Sequence, residues 1–152
     1  MVTGVQTCAL PISMVQLIVG KKGKGKTKQI LDKVNNEIKT VEGTVAYLDK
    51  STKHMFELNN KVRLINVTDY MVENSSEFVG FISGILSQDH DLQQMYFDSF
   101  LKIACLEGED ISPVVEKLEK MSDTFHVDFV LSVSMDENEL PEGLKKNVVI
   151  SL

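Results

Sequence analysis

Apolar residues along this chain follow two alternating rhythms. Short, nearly continuous runs, rich in β-branched and aromatic residues, occupy 15–19, 44–49, 61–67, 92–98, 127–134 and 148–152. Each is too short for a typical helix and reads as a strand buried on both faces. Between them, apolar positions recur three and four apart, the spacing of a helix with one buried stripe. Ile30, Leu31, Val34 and Ile38 form one such stripe, Phe78, Val79, Ile82, Ile85 and Leu86 a second, and Val114, Val115, Leu118 and Met121 a third. The pattern predicts a helix over 28–39, one capped by Asn74 or Ser75, and a short one through Phe100, Leu101, Ile103 and Ala104, broken at 107–110. A further helix is expected to start at Ser112 as N-cap, with Pro113 in its first turn. Segment 52–60 reads as one short helix, 87–91 as a loop, and 135–146 as a loop with room for a helical turn. Strands that alternate with crossover helices predict an α/β protein of three layers, α/β/α, around a mainly parallel sheet.

The exit of the first strand carries the chemistry. Residues 20–27 read Gly-Lys-Lys-Gly-Lys-Gly-Lys-Thr, which fits G-x-x-x-x-G-K-[ST], the phosphate-binding loop of nucleotide hydrolases and kinases. A strand precedes it and a helix follows, as that motif requires. Glycine lets the backbone curl so that successive N–H groups face an anion, and the helix adds the positive end of its dipole. The expected ligand is a nucleoside triphosphate, ATP or GTP, cradled by Gly20, Lys21, Lys22, Gly23, Lys24, Gly25, Lys26, Thr27 and Lys28. Lys26 is the cation such a loop needs. Lys21, Lys22 and Lys24 raise the local potential, and Lys28 reads as a solvated charge.

Such a loop works with Mg²⁺, held by the Thr27 hydroxyl and a carboxylate at another strand end. Asp49, Asp69 and Asp98 compete for that role. Asp98 follows the strongest apolar triplet, Met95-Tyr96-Phe97, and its distance from Lys26 suits one or two strands inserted between loop and acid. Thr27 and Asp98 are therefore the expected metal ligands. Asp69 sits in an apparent loop and is the weakest of the three.

Composition narrows the field. Residues 2–12 match a translated sequencing adapter, which places the expected start at Met14 and leaves 14–152 as a single nucleotide-binding domain. No basic n-region precedes the short apolar stretch in 8–12, so it does not read as a signal peptide. The net charge is −6 with no broad basic run, which disfavours nonspecific nucleic-acid binding. No apolar stretch is long enough to span a bilayer. Cys105 is the one cysteine of 14–152, which excludes an internal disulfide there and fits a reducing cytoplasm. It reads as a small core residue of an apolar helix. His54, His90 and His126 show no ligand spacing, so a histidine metal site is not expected.

On these residues the chain resembles the RecA-like ATPase core over most of 14–135. Residues 20–27 match that family's phosphate loop, and Met95-Tyr-Phe-Asp98-Ser99 its apolar run followed by Asp-Ser. The chain is also similar to small stand-alone bacterial P-loop proteins labelled twitching-motility (PilT-type) ATPases, though it lacks a motility ATPase's extra N-terminal domain and histidine-containing box. The resemblance implies a parallel sheet whose loop strand is flanked by the Asp98 strand and the last strands. It also implies ATP and Mg²⁺ as cofactors, Lys26 and Asp98 as catalytic groups, and assembly with further copies or a protein partner. The family's catalytic glutamate is missing: Ser51 stands near its place after Asp49, and Ser99 follows Asp98. Asp49 is then the substitute base. Arg63 is the only arginine, so an arginine finger is Arg63 or a partner's, and a solvated strand-end Arg63 is the simpler reading. Two functions stay open: slow, Mg²⁺-dependent ATP hydrolysis, and a nucleotide-gated binding module with little turnover. A small-molecule kinase fits less well, because no arginine is left for a lid.

Overall fold

The computed structural model describes residues 14–152; the expected N-terminal extension, residues 1–13, lies outside them. Six strands form: β1 (Val15–Val19), β2 (Thr44–Asp49), β3 (Arg63–Asn66), β4 (Leu92–Phe97), β5 (Asp128–Val133) and β6 (Val148–Ser151). They make one sheet in the order β3-β2-β4-β5-β1-β6, and every pairing is parallel. Among the described residues four α-helices accompany them: α1 (Lys26–Glu37), α2 (Ser75–Gln88), α3 (Phe100–Ile103) and α4 (Ser112–Phe125). The result is an α/β protein with a three-layer α/β/α arrangement, as the alternation of periods predicts.

The sheet sorts its side chains by parity, because successive residues of a strand point to opposite faces. Leu17, Ala46, Leu48, Met95, Phe97, Phe129 and Leu131 face α2, α3 and α4, and meet Phe78, Ile82, Phe100, Val115 and Leu118 in the larger core. Ile18, Val45, Tyr47, Tyr96 and Val130 face the other way and meet Ile30, Leu31, Val34 and Ile38 of α1. Phe97 anchors the larger core, with ring centroids 5.5 Å from Phe78, 6.0 Å from Phe100 and 5.7 Å from Phe129. Such aromatic pairs add about 0.5–1.5 kcal/mol each beyond burial.

Several expectations are revised. The loop strand is not flanked by the Asp98 strand: β1 lies between β5 and β6, and β5 separates it from β4. The single inserted strand agrees instead with the distance between Lys26 and Asp98. Helix α1 starts two residues early, at Lys26, and α2 runs to Gln88 rather than stopping before Ser87. Segment 52–60 contracts to a 3₁₀ turn, Met55–Glu57, and Asp69 falls in another, Val67–Tyr70. Asn74 caps α2, its side chain accepting the Glu77 N–H at 2.9 Å. Ser112 is not a cap but the first helical residue, and the Asp110 carboxylate accepts its N–H at 2.9 Å. Cys105 is exposed just past α3 with φ 58°, because the chain turns there in the left-handed region instead of continuing the helix.

Candidate functional site

All parallel strands point their carboxyl ends to one edge of the sheet, and the sequence places Gly20, Asp49 and Asp98 at that edge. Crossovers leave β1 toward one sheet margin for β2 and β3, return between them for β4 and β5, and cross β1 for β6. In open α/β sheets the crevice beyond the strand ends at such a reversal is the usual ligand site.

Residues 20–27 form the turn from β1 into α1. The Gly20 N–H donates to the Met135 carbonyl at 2.8 Å, and Leu152 N–H donates to Val19 O at 2.9 Å, so the loop's root is held by both neighbouring strands. A side chain at Gly20 would put its Cβ 3.0 Å from Leu152 Cβ. Gly23 (φ 83°) and Gly25 (φ 92°) adopt left-handed backbone that L side chains resist. Between them Lys24 N–H reaches back to Lys21 O at 3.3 Å, which closes the bend. The loop is curled, not extended.

Lys26 opens α1 and is buried, with Nζ donating to Lys21 O at 3.1 Å. Burial lowers its pKa, and the nearby Asp98 charge opposes that shift. Thr27 Oγ1 donates to Asp98 Oδ1 at 3.4 Å across the intervening strand. Asp98 is buried and further held by Ser99 N–H at 2.9 Å on Oδ1 and by the Tyr47 hydroxyl at 2.9 Å on Oδ2. Burial and the Asp98 charge push the Tyr47 phenol far above its ordinary range, so it stays a protonated donor. Asp49, 2 % exposed, accepts Lys50 N–H at 2.7 Å on Oδ1, while its buried Oδ2 has no hydrogen-bond partner among the described residues. Burial first, and then the Asp98 charge, push the Asp49 carboxyl up to about 6.

The remaining expected residues divide. Lys21 and Lys22 line a 430 Å³ cleft at the strand ends with Lys50, Lys102, Ser134 and Glu139, giving it four lysines. Lys24 is exposed at the bend. Lys28 pairs with Asp32 at 3.2 Å on the solvated face of α1, as a solvated charge should. Thr27 borders a second cleft, of 540 Å³, on the α1 side, together with His54 and Glu57. Asp69 is engaged away from the loop, 3.4 Å from Asn66 Nδ2. Arg63 begins β3 and pairs with Asp89 at 2.8 Å, at the amino ends of the strands and thus opposite the loop.

Three residues escape the reading of the sequence, Tyr47, Lys50 and Lys102, while His54, which shows no ligand spacing along the chain, is brought beside Asp49 and Asp98 by the fold. Tyr47 and Lys50 flank the strand-end acid Asp49 and carry only that weak positional signal. Nothing local marks His54 or Lys102, which arrive through tertiary folding. No described helix is long and apolar enough to cross a membrane. No family model matches the chain, and no curated protein matches it significantly.

Proposed function

We propose that this chain binds a nucleoside triphosphate, ATP first among candidates, together with Mg²⁺, as a minimal P-loop ATPase core of the RecA-like kind. The observation that carries the reading is the curled turn of 20–27, with a buried Lys26 whose Nζ is held on the Lys21 carbonyl, and with Thr27 bonded to the buried strand-end carboxylate of Asp98. The loop amides and the amino end of α1 suit a polyphosphate. Lys26, now on a loop carbonyl, is the group to transfer to a β/γ-phosphate. Lys21, Lys22, Lys50 and Lys102 supply a cationic mouth. Thr27 and Asp98 suit Mg²⁺ through hydroxyl and carboxylate oxygens; a bound Mg²⁺ would neutralise developing phosphate charge.

Turnover in this reading is slow. Asp49 is the substitute base: a buried carboxyl pushed up to about 6 lies near the pH at which a general base works best. The second reading, a nucleotide-gated module acting through a protein partner or further copies, is favoured by Ser51 standing where the resembling family carries glutamate.

The test is nucleotide titration of the purified chain with Mg²⁺, followed by phosphate release over hours. Lys26→Ala is expected to weaken ATP binding by roughly 100-fold, the loss of a buried charge-assisted contact. Unchanged affinity would overturn the reading. Asp98→Asn should blunt the Mg²⁺ dependence more than Asp49→Asn; the reverse order would move the metal to Asp49. Brisk release by the isolated monomer would exclude the module.

A further inference from the structure

At the carboxyl ends of β2 and β4 the fold brings a histidine beside two buried carboxylates, one of which, Asp98, also accepts from Thr27. Asp49 Oδ2 is buried without a hydrogen bond, and its carboxylate lies beside a second buried carboxylate, Asp98. Neither belongs to any ion pair among the described residues. An unpaired buried carboxylate oxygen costs free energy unless something satisfies it. One atom from each of Asp49, Asp98 and His54, a ring nitrogen in the last case, lie within 4.8 Å of one another. His54 Nδ1 meets Glu57 Oε1 at 2.9 Å. A ring that gives one nitrogen's proton to a carboxylate presents the other as a lone pair, which is how metal-ligating histidines are oriented. With Nδ1 engaged by Glu57, Nε2 is the ring nitrogen left to coordinate.

The geometry points to a divalent metal site built from Asp49, His54 and Asp98, taking an ion that accepts imidazole, Zn²⁺ or Mn²⁺, ahead of Mg²⁺. Two carboxylates and one imidazole suit first-row transition ions, whereas Mg²⁺ prefers an all-oxygen shell and gives up water reluctantly. Ligand atoms at about 2.1 Å from one tetrahedral ion stand about 3.4 Å apart, so a pair at the 4.8 Å limit closes by roughly 1.4 Å on binding. His54 follows the polar 50–53 turn and borders the α1-side cleft, so that movement needs no shift of the sheet. The site refines the metal half of the proposed function without depending on nucleotide. It also removes Asp49 from the role of base while the ion is bound, because coordination uses the lone pairs that would take a proton.

Nucleotide-free, Mg²⁺-free protein is titrated with Co²⁺, followed by its visible d–d absorption, and Zn²⁺ is then used in competition. One Co²⁺ per chain is expected, displaced by Zn²⁺ and resistant to Mg²⁺. His54→Ala and Asp49→Asn should each weaken Co²⁺ binding about tenfold or more. Wild-type affinity in either variant would overturn the site. Loss in His54→Ala with retention in Asp49→Asn would mean surface chelation by His54 and Glu57, which also overturns it. Thermal melts in chelator check that both variants fold. Wild-type histidine NMR supplies a measurement that needs no variant: Zn²⁺ should shift the His54 ring and leave His90 and His126 unmoved, and any other pattern refutes the assignment. Lys26→Ala should keep the Co²⁺ signal whatever its effect on ATP, so failure of the nucleotide reading and failure of the metal site give different results.

Discussion

Asp49 and Asp98 end neighbouring strands, and their shared burial sets the pH behaviour of the site. The Asp49 carboxyl rises from 3.8 to about 6 in the folded protein, by burial and by the Asp98 charge. In the unfolded chain it loses its proton near its ordinary value, so between pH 4 and 6 the folded state binds more protons. Stability therefore falls as pH rises through that window, and the cost is complete above about 6. A shift of this size corresponds to about 3 kcal/mol. Denaturant melts in chelator at a series of pH values should show that decline, and Asp49→Asn should flatten it. Lys26, Thr27, Asp49 and Asp98 were legible because a motif and strand-end acids follow chain order. Tyr47 and His54 were not, because a hydroxyl from one strand reaching a carboxylate on the next, or a ring turned by Glu57, is decided only when the sheet assembles.

At the scale of elements, strand positions were legible and their neighbours were not. The run 44–49 became β2 without change because its β-branched and aromatic residues are buried nearly throughout. The loop strand's neighbours depend on which crossover passes over which strand, and hydrophobic period carries no such information. The misplaced cap at Ser112 has a local cause: Asp110 is a better acceptor for the first turn's free N–H, and the serine becomes helical. Glycines separate two kinds of constraint. A Cβ at Gly43 would lie 2.1 Å from the Asp91 carbonyl oxygen, where β2 begins beside β4, while one at Gly80 on α2 meets nothing within 4 Å. Gly43→Ala is expected to cost about 3 kcal/mol, since backbone must move. Gly80→Ala should gain about 0.5–1 kcal/mol from helix propensity. Urea midpoints of the two variants check both signs.

For the whole molecule, a parallel sheet built by crossovers joins strands far apart in sequence, as Val15 pairs with Phe129 in β1 and β5. Such topology folds slowly, since chain must be ordered before the pairing repays it. Ligand binding should then report on the entire fold. Nucleotide at 100 times its dissociation constant stabilises the native state by about 2.7 kcal/mol. At roughly 3–5 °C per kcal/mol for a chain of this size, the melting temperature should rise by roughly 10 °C. Differential scanning calorimetry with ATP and Mg²⁺ checks this, and at the same nucleotide concentration Lys26→Ala, binding roughly 100-fold more weakly, should rise by only about 1–2 °C.

The fastening of Gly20 to Met135 and of Val19 to Leu152 has a mechanical corollary. The turn behaves like a clasp riveted at its heel. Its heel cannot swing, and whatever adjustment an incoming anion demands is confined to the toe, residues 21–25, where Lys22, Gly23 and Gly25 have amides without a hydrogen-bond acceptor among the described residues. Deuterium exchange should be slow at Gly20 and fast at those three amides, with nucleotide slowing only the fast ones.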